Sequence, residues 1–464
     1  MQPFRPRWPD RTGAVFAIAG FSLGMMLLQS HWPIGVQLVT WIVLLVTFVI
    51  PFVILELGTG AIFQDSLSES CRKTVKHTEI VGWLAATVGF IGMVLVTNQA
   101  GVFLSMAYDS LLSAIGNQPN QLTVQSDAML AIRPNGGLLA VAIILALVQI
   151  RLWRGAPVIA KTAALLVVIG ATGVVLITVL LLLRPGAING LAYLLEPQGA
   201  GWNDLWTLGP WVSSAICLLF AWGMGSGAMT AYGSYFNRSS DAIGLGVIAV
   251  LIGSLGQCVL FLAFALGQSV IHPGHNVGSP ENNWGPYAVG SVLANVGWPA
   301  WWSAILTAVW FIALCAFLIS ALLALIEAVA TPIIDKFRIG RERVVPGICL
   351  VVFFISALLG QSDRLPTWSL DGLFVVMVLT MILQGTVAWS AMKLDSFTRH
   401  LNAYSAFRLS WGWRSSIAIF IPFLGVYLLI EQFLQSKDMV IRLTFMSMTL
   451  VAALVVSRLP GRNR

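Results

Sequence analysis

The sequence predicts an all-α polytopic membrane protein of about 12 transmembrane helices, and three observations carry that reading. Of 464 residues, 58% are hydrophobic and only 10% are charged, where a soluble domain carries about 25% charged residues. Apolar stretches of about 18 to 25 residues recur along the whole chain, each long enough to cross about 30 Å of hydrocarbon as a helix. Runs such as VVIGATGVVLITVLLLL (167–183) are continuous, whereas the strands of a membrane barrel would alternate over about 10 residues.

Taken in order, spans are expected at 12–29, 33–60, 80–113, 136–151 and 157–183, then at 208–235, 241–271, 300–333, 343–360 and 367–392. Two more follow at 408–433 and 439–458. Arg5, Arg7 and Arg11 precede the first span without a small-residue cleavage site, so it is read as an uncleaved helix and not a signal peptide. With both termini on one side, twenty-one of the 26 basic residues fall on the N-terminal side. Only Arg133, Arg184, Arg364, Lys437 and Arg442 fall on the other. The positive-inside rule then predicts a cell-membrane protein with both termini cytoplasmic. The net charge of +7 is thereby an orientation signal, and it calls for no nucleic acid. The expected partners are the lipid bilayer and a small-molecule solute.

The remaining polar features exclude more than they assign. Cys71, Cys217, Cys258, Cys315 and Cys349 are scattered without a CxxC, so neither a disulfide framework nor a zinc site is indicated. His272 and His275 in a Gly- and Asn-rich loop are weak candidates for metal ligands. Nothing pairs a nucleophile with a base, so the chain does not read as an enzyme.

Two spans contain glycine clusters where an ordinary membrane helix would run on. Span 1 reads FAIAGFSLGMM, with Gly20 and Gly24. Span 6 reads FAWGMGSGAMTAYGSY, with Gly223, Gly225, Gly227 and Gly233. Their starts are five helices apart, so they hold equivalent places in two halves of five. Interrupted helices at matching positions point to a transporter's central site, because freed backbone groups survive in a bilayer only where they line a cavity or meet a partner. The competing reading is close helix packing through small residues.

These residues resemble the neurotransmitter:sodium symporter family, in its bacterial leucine-transporter-like form, as a divergent member. The resemblance rests on Trp8, Arg11, Gly13, Ala17, Ala19, Gly20 and Gly24 in span 1, on Pro51, Glu56 and Gly60 in span 2, and on Gly225, Gly227, Ala228, Tyr232, Ser234 and Tyr235 in span 6. It implies two inverted five-helix repeats with broken helices 1 and 6: 12–183 and 208–392, followed by two additional helices at 408–458, in a single transporter domain spanning 1–464.

The resemblance also implies a cytoplasmic gate, at Arg5, Trp8, Tyr235 and Asp335. An exposed ion pair, worth about 0 to 1 kcal/mol, could close one state and still open. The family's first sodium site would fall at Leu27, Ala221 and Ile248, which offer no side-chain oxygen, so it is expected to be absent. The second would use Gly20, Leu23, Phe317 and Ser320, with Ala321 in place of a hydroxyl; that leaves at most one weak Na⁺ site. Phe21, Ser22, Met25, Met26, Asn98, Phe220, Gly223 and Ser226 would line the solute pocket. With the family's outer arginine replaced by Ser30, the expected solute is small and amino-acid-like or weakly polar.

Intramembrane acids are functional candidates by default. The resemblance implies that Glu56 orders the freed amides of helix 6, and Glu327 either carries a coupling proton or serves as a structural acid. The function read from the sequence is a secondary active symporter working by alternating access, with sodium preferred over a proton as the driving ion. The alternative is a non-transporting or sodium-independent relative that binds a solute or serves a membrane partner.

Overall fold

The computed structural model describes residues 7–29, 33–116, 137–152, 155–184, 186–196, 201–271, 285–295, 298–359, 364–435 and 439–461. Arg5, His272, His275 and most of the 114–135 loop lie outside them. The helices are α1 (Arg11–Met26), α2 (Val36–Phe63), α3 (Leu67–Thr74), α4 (Glu79–Ile115), α5 (Gly137–Leu152), α6 (Ala156–Leu182), α7 (Ile188–Leu195), α8 (Leu208–Ala221), α9 (Ala228–Gly233) and α10 (Ala242–Ile271). They continue as α11 (Gly285–Asn295), α12 (Ala300–Phe337), α13 (Arg341–Leu359), α14 (Arg364–Ser390), α15 (Leu394–Ala403), α16 (Trp411–Leu434) and α17 (Met439–Arg458). Among the described residues nine helices are long and apolar enough to cross a membrane. The shorter apolar helices Arg11–Met26, Gly137–Leu152 and Leu208–Ala221 coincide with the other three expected spans.

The core is built on α12, which packs along most of α4 and also against α6 and α1. At 38 residues and 1.5 Å per residue it is about 57 Å long, so it reaches beyond the hydrocarbon. It is buried through most of its length, from Ser303 to Pro332. By contrast α16 and α17 present Phe423, Leu434, Val440 and Val451 outward, as helices facing lipid do. Two helices widen into short π-helical stretches, Leu45–Val49 and Ser416–Phe420. Each ends just before a proline, Pro51 or Pro422. A proline ring crowds the carbonyl four residues back and donates no N–H, and a π-bulge relieves that crowding.

The two glycine clusters turn out differently. Span 6 is interrupted where expected: α8 ends at Ala221, α9 starts at Ala228, and Gly223, Gly225 and Gly227 between them have φ of 50°, 84° and 71°. These left-handed conformations disfavour side chains. In span 1 the helix runs unbroken through Gly20 and Gly24. It ends at Met26, and the next helix begins at Val36. Packing explains the difference. A Cβ on Gly20 would lie 2.2 Å from Ser320 Oγ, and one on Gly24 would lie 2.3 Å from the Phe317 carbonyl oxygen. These glycines let α1 press onto α12; they do not unwind it.

Gly24→Val is therefore expected to destabilise the protein by about 1–3 kcal/mol through overpacking against an immovable backbone carbonyl. The check is the melting temperature of the detergent-solubilised variant against wild type. An unchanged value would contradict the close α1–α12 contact.

Candidate functional site

The site is centred on the interruption between α8 and α9, and each glycine in it is held by a different part of the bundle. A Cβ on Gly223 would lie 2.4 Å from Phe21 Cζ of α1, and one on Gly225 would lie 2.7 Å from the Met377 carbonyl oxygen of α14. Gly227 stands close to Ala85 of α4 and Leu67 of α3. Helix α9 then docks onto α2 with their backbones nearly touching: a Cβ on Gly60 would meet the Thr230 carbonyl at 2.2 Å, and one on Gly233 the Leu57 carbonyl at 2.3 Å.

This docking carries Glu56, one turn before Gly60, to the interruption. The carboxylate is 2% exposed and faces the backbone amides of Gly225, Gly227 and Met229 and the side-chain amide of Gln384. Bonds from N–H groups to a charged acceptor are worth about 1.5–3 kcal/mol each. They also answer the question of where the orphan donors of an interrupted helix go.

Around the interruption the side chains are mostly apolar. The Phe21 ring lies on Gly223 and is fully buried. Met25 reaches toward Gly92 of α4, and Met26 is buried. Phe220 packs against Phe374, their ring centroids 5.9 Å apart. Asn98 is fully buried, with neither atom of its amide hydrogen-bonded. Two expected solute contacts are turned elsewhere. The Ser22 hydroxyl donates to the Ala19 carbonyl at 2.8 Å and sits against Gly253 of α10. The Ser226 hydroxyl accepts from the Ala228 amide at 3.3 Å, helping to start α9.

The expected ion ligands lie along the contact between α1 and α12. Ser320 Oγ is buried and has no partner, and with the Phe317 carbonyl it points at α1. The Gly20 carbonyl belongs to an unbroken helix, the Leu23 carbonyl lies in its last turn, where the Leu27 amide bonds Gly24 instead, and the Leu23 side chain faces Gly256 of α10. Ile248, matched to the first sodium site, is 46% exposed on the outer side of α10. The α10 residue that meets Ser22 and Trp222 is Gly253, five positions further on.

At the N-terminal end of the bundle a second polar cluster closes over α9. Trp8 donates through Nε1 to the Tyr232 carbonyl at 2.9 Å and through its backbone N–H to the Tyr235 carbonyl at 3.1 Å. Its ring meets those of Tyr232 and Tyr235 edge-on, with centroids at 5.3 and 5.7 Å. Trp8 thus satisfies carbonyls at the end of α9 that no further turn would reach. Asp335 accepts from the Ser66 amide at 2.8 Å, at the start of α3.

Glu327 is held differently from the proton-carrying expectation. Both carboxylate oxygens are bound by the Arg341 guanidinium, one of them at 3.2 Å, and the Tyr235 hydroxyl donates to the same carboxylate. Arg341 also donates to the Leu152 carbonyl at 2.7 Å. Glu327 is fully buried. The arrangement is a strut joining α12, α13, α5 and the end of α9. Sequence reading passed over Arg341 as one of many basic residues near a span end; that it follows Glu327 by fourteen positions across a helix turn was the available signal.

An all-helical bundle with an interrupted helix anchored at its centre and polar clasps at one end is the architecture of a secondary transporter. The comparisons agree. Residues 133–457 match the model of the sodium:neurotransmitter symporter family. An uncharacterised sodium-dependent transporter of Methanocaldococcus jannaschii is 24% identical over 90% of this chain and 88% of its own length. A sodium- and chloride-dependent creatine transporter of Oryctolagus cuniculus is 25% identical over 64% of this chain and 48% of its length. The crystal structure of MhsT in complex with L-phenylalanine superposes with a TM-score of 0.74 at 20% identity, over 92% of this chain and 99% of that one. The chain belongs to the sodium:neurotransmitter symporter family. It is a multi-pass membrane protein and a sodium-coupled symporter of a small solute.

Removing one partner of a buried ion pair costs about 3–5 kcal/mol. Arg341→Ala is expected to lose about that much stability, because Glu327 is left buried and uncompensated. The double variant Arg341→Met with Glu327→Leu should recover much of it. Denaturation midpoints of the three proteins provide the test, and a single variant as stable as wild type would argue against the strut.

Proposed function

We propose that the solute site lies where the Phe21 ring now rests, between α1, α4 and the α8–α9 interruption. Contact between the Phe21 ring and Gly223 is the observation that supports this reading. Freed backbone groups mark the place, and an aromatic side chain fills it. A solute must displace that ring, and it meets Met25, Met26 and Phe220, with the Asn98 amide as a polar candidate. Such a lining favours a small apolar or weakly polar solute over one needing a charged anchor, since a carboxylate desolvated there without partners would be costly.

In this reading both termini are cytoplasmic, as the loop charges indicate. The repeats 12–183 and 208–392 move relative to each other, and the additional helices 408–458 stay at the lipid face. Arg5 approaches Asp335 to close the inner side, with Trp8 and Tyr235 beside them. Phe220 closes the outer side. Glu56 keeps α9 attached to α2 throughout, and the Glu327–Arg341 pair stiffens the inner end.

Two measurements test the proposal. Counterflow uptake into liposomes from a panel of amino acids, amines and small organic acids should show transport that falls when sodium is replaced by choline at fixed pH. Absence of any sodium dependence would overturn the coupling. In the same assay Phe21→Ala should extend transport or binding to bulkier solutes than wild type accepts. An unchanged size limit would remove Phe21 from the site.

A further inference from the structure

Arg442 is one of the five basic residues that the loop charges leave on the side opposite the termini. It stands in the first turn of α17, a helix largely uncovered by the rest of the bundle. An arginine at such a place ordinarily stretches out to the lipid headgroups. Here the guanidinium turns inward, and the side chain is only 12% exposed. Its Nη1 donates to the Gln432 carbonyl at 2.7 Å and to Gln432 Oε1 at 2.6 Å, in the last turn of α16. Its Nη2 lies 3.3 Å from Asp371 Oδ1 of α14. The two helices touch beside this pair, since a Cβ on Gly372 would run into the Phe445 ring of α17. Charges placed within membrane spans call for a functional account.

What the pair holds in place follows from α14. Asp371 precedes Phe374 by three positions, so the two are neighbours on the helix surface, and the Phe374 ring packs on Phe220. Phe220 stands at the end of α8, directly before the interruption. Arg442 thereby ties α17 to the part of α14 that covers the aromatic lid. The strength of the tie suits release. Charge-assisted N–H to carboxylate bonds run at about 2.7–2.9 Å; this contact is longer, and the Asp371 side chain is 35% exposed. Ion pairs open to solvent add little stability. The fully buried Glu327, gripped through both oxygens by Arg341, is by contrast a permanent strut. We propose that Arg442 and Asp371 form an outer latch. Paired, they hold Phe374 over Phe220; parted, they free α14 to swing away from the lid. Arg442 is a positioning residue that acts through Asp371 and Phe374. The latch rests on the reading above, in which Phe220 closes the outer side.

Hydrogen–deuterium exchange of the full-length protein in nanodiscs, without solute, tests the latch. Asp371→Asn keeps the bonds between Arg442 and Gln432 and removes only the charge of the pair. It is expected to speed amide exchange several-fold in residues 208–221 and 364–377 and to leave residues 228–236 no faster than in wild type. Arg442→Gln should do the same, the double variant should exceed neither single one, and Arg442→Lys, which keeps the charge, should stay near wild type. An arginine needed only to join α16 to α17 would make Arg442→Gln effective and Asp371→Asn silent. That outcome, or single effects that add in the double variant, would overturn the latch. Failure of the underlying reading shows elsewhere: it is the unchanged size limit of Phe21→Ala in counterflow, a measurement on which the solute-free exchange rates do not depend.

Discussion

The interaction on which this architecture turns is the Glu56 carboxylate against the freed amides of Gly225, Gly227 and Met229. An interrupted helix within a membrane leaves backbone donors that neither lipid nor water can satisfy. One buried acid meets that need from the neighbouring helix. It can do so only because α2 and α9 approach to backbone contact at Gly60 and Gly233. The left-handed glycines, the small-residue contact and the acid are thus three parts of one solution, and each loses its purpose without the other two.

The same logic does not extend to α1. There the chain keeps its helical hydrogen bonds and uses Gly20 and Gly24 to bring two backbones together. The result, among the described residues, is an interrupted helix at the centre and an unbroken α1 closed against α12. That asymmetry accounts for several features at once. The Gly20 carbonyl stays inside a helix, the Ser320 hydroxyl is left without a partner, and the Phe21 ring fills the space beside Gly223. The interior polar groups that remain are held by scaffolding bonds. Ser22 is returned to its own helix, and Glu327 is committed to Arg341 and Tyr235.

Much of the bundle was legible in the sequence. Helix periodicity is irrelevant to a lipid-facing span; length and apolarity suffice, so all twelve expected segments have a helix at their place. The three glycines in five residues of span 6 allowed either an interruption or close packing, and the left-handed φ values at Gly223, Gly225 and Gly227 show the interruption. An acid in a span must be matched to something, and the family resemblance implied which amides Glu56 meets. Arg341 was not readable, because its partner depends on how α13 turns back beside α12. The α10 register was not either: consecutive apolar residues along a helix look alike until one side is shown to be covered, and Ile248 proves to be on the uncovered side.

By itself, then, the sequence determined that this chain crosses the membrane many times as helices, with a glycine cluster in span 6 and an acid in span 2. Those properties follow from composition, length and the conformational range of glycine, all local quantities. Only the tertiary structure decided what the glycines of α1 do. Gly20 and Gly24 permit unwinding and close packing equally well, and the choice was made by the Phe317 carbonyl and Ser320 of α12, some three hundred residues away in the chain. Contact across a bundle selects between conformations that the local sequence leaves equal in energy.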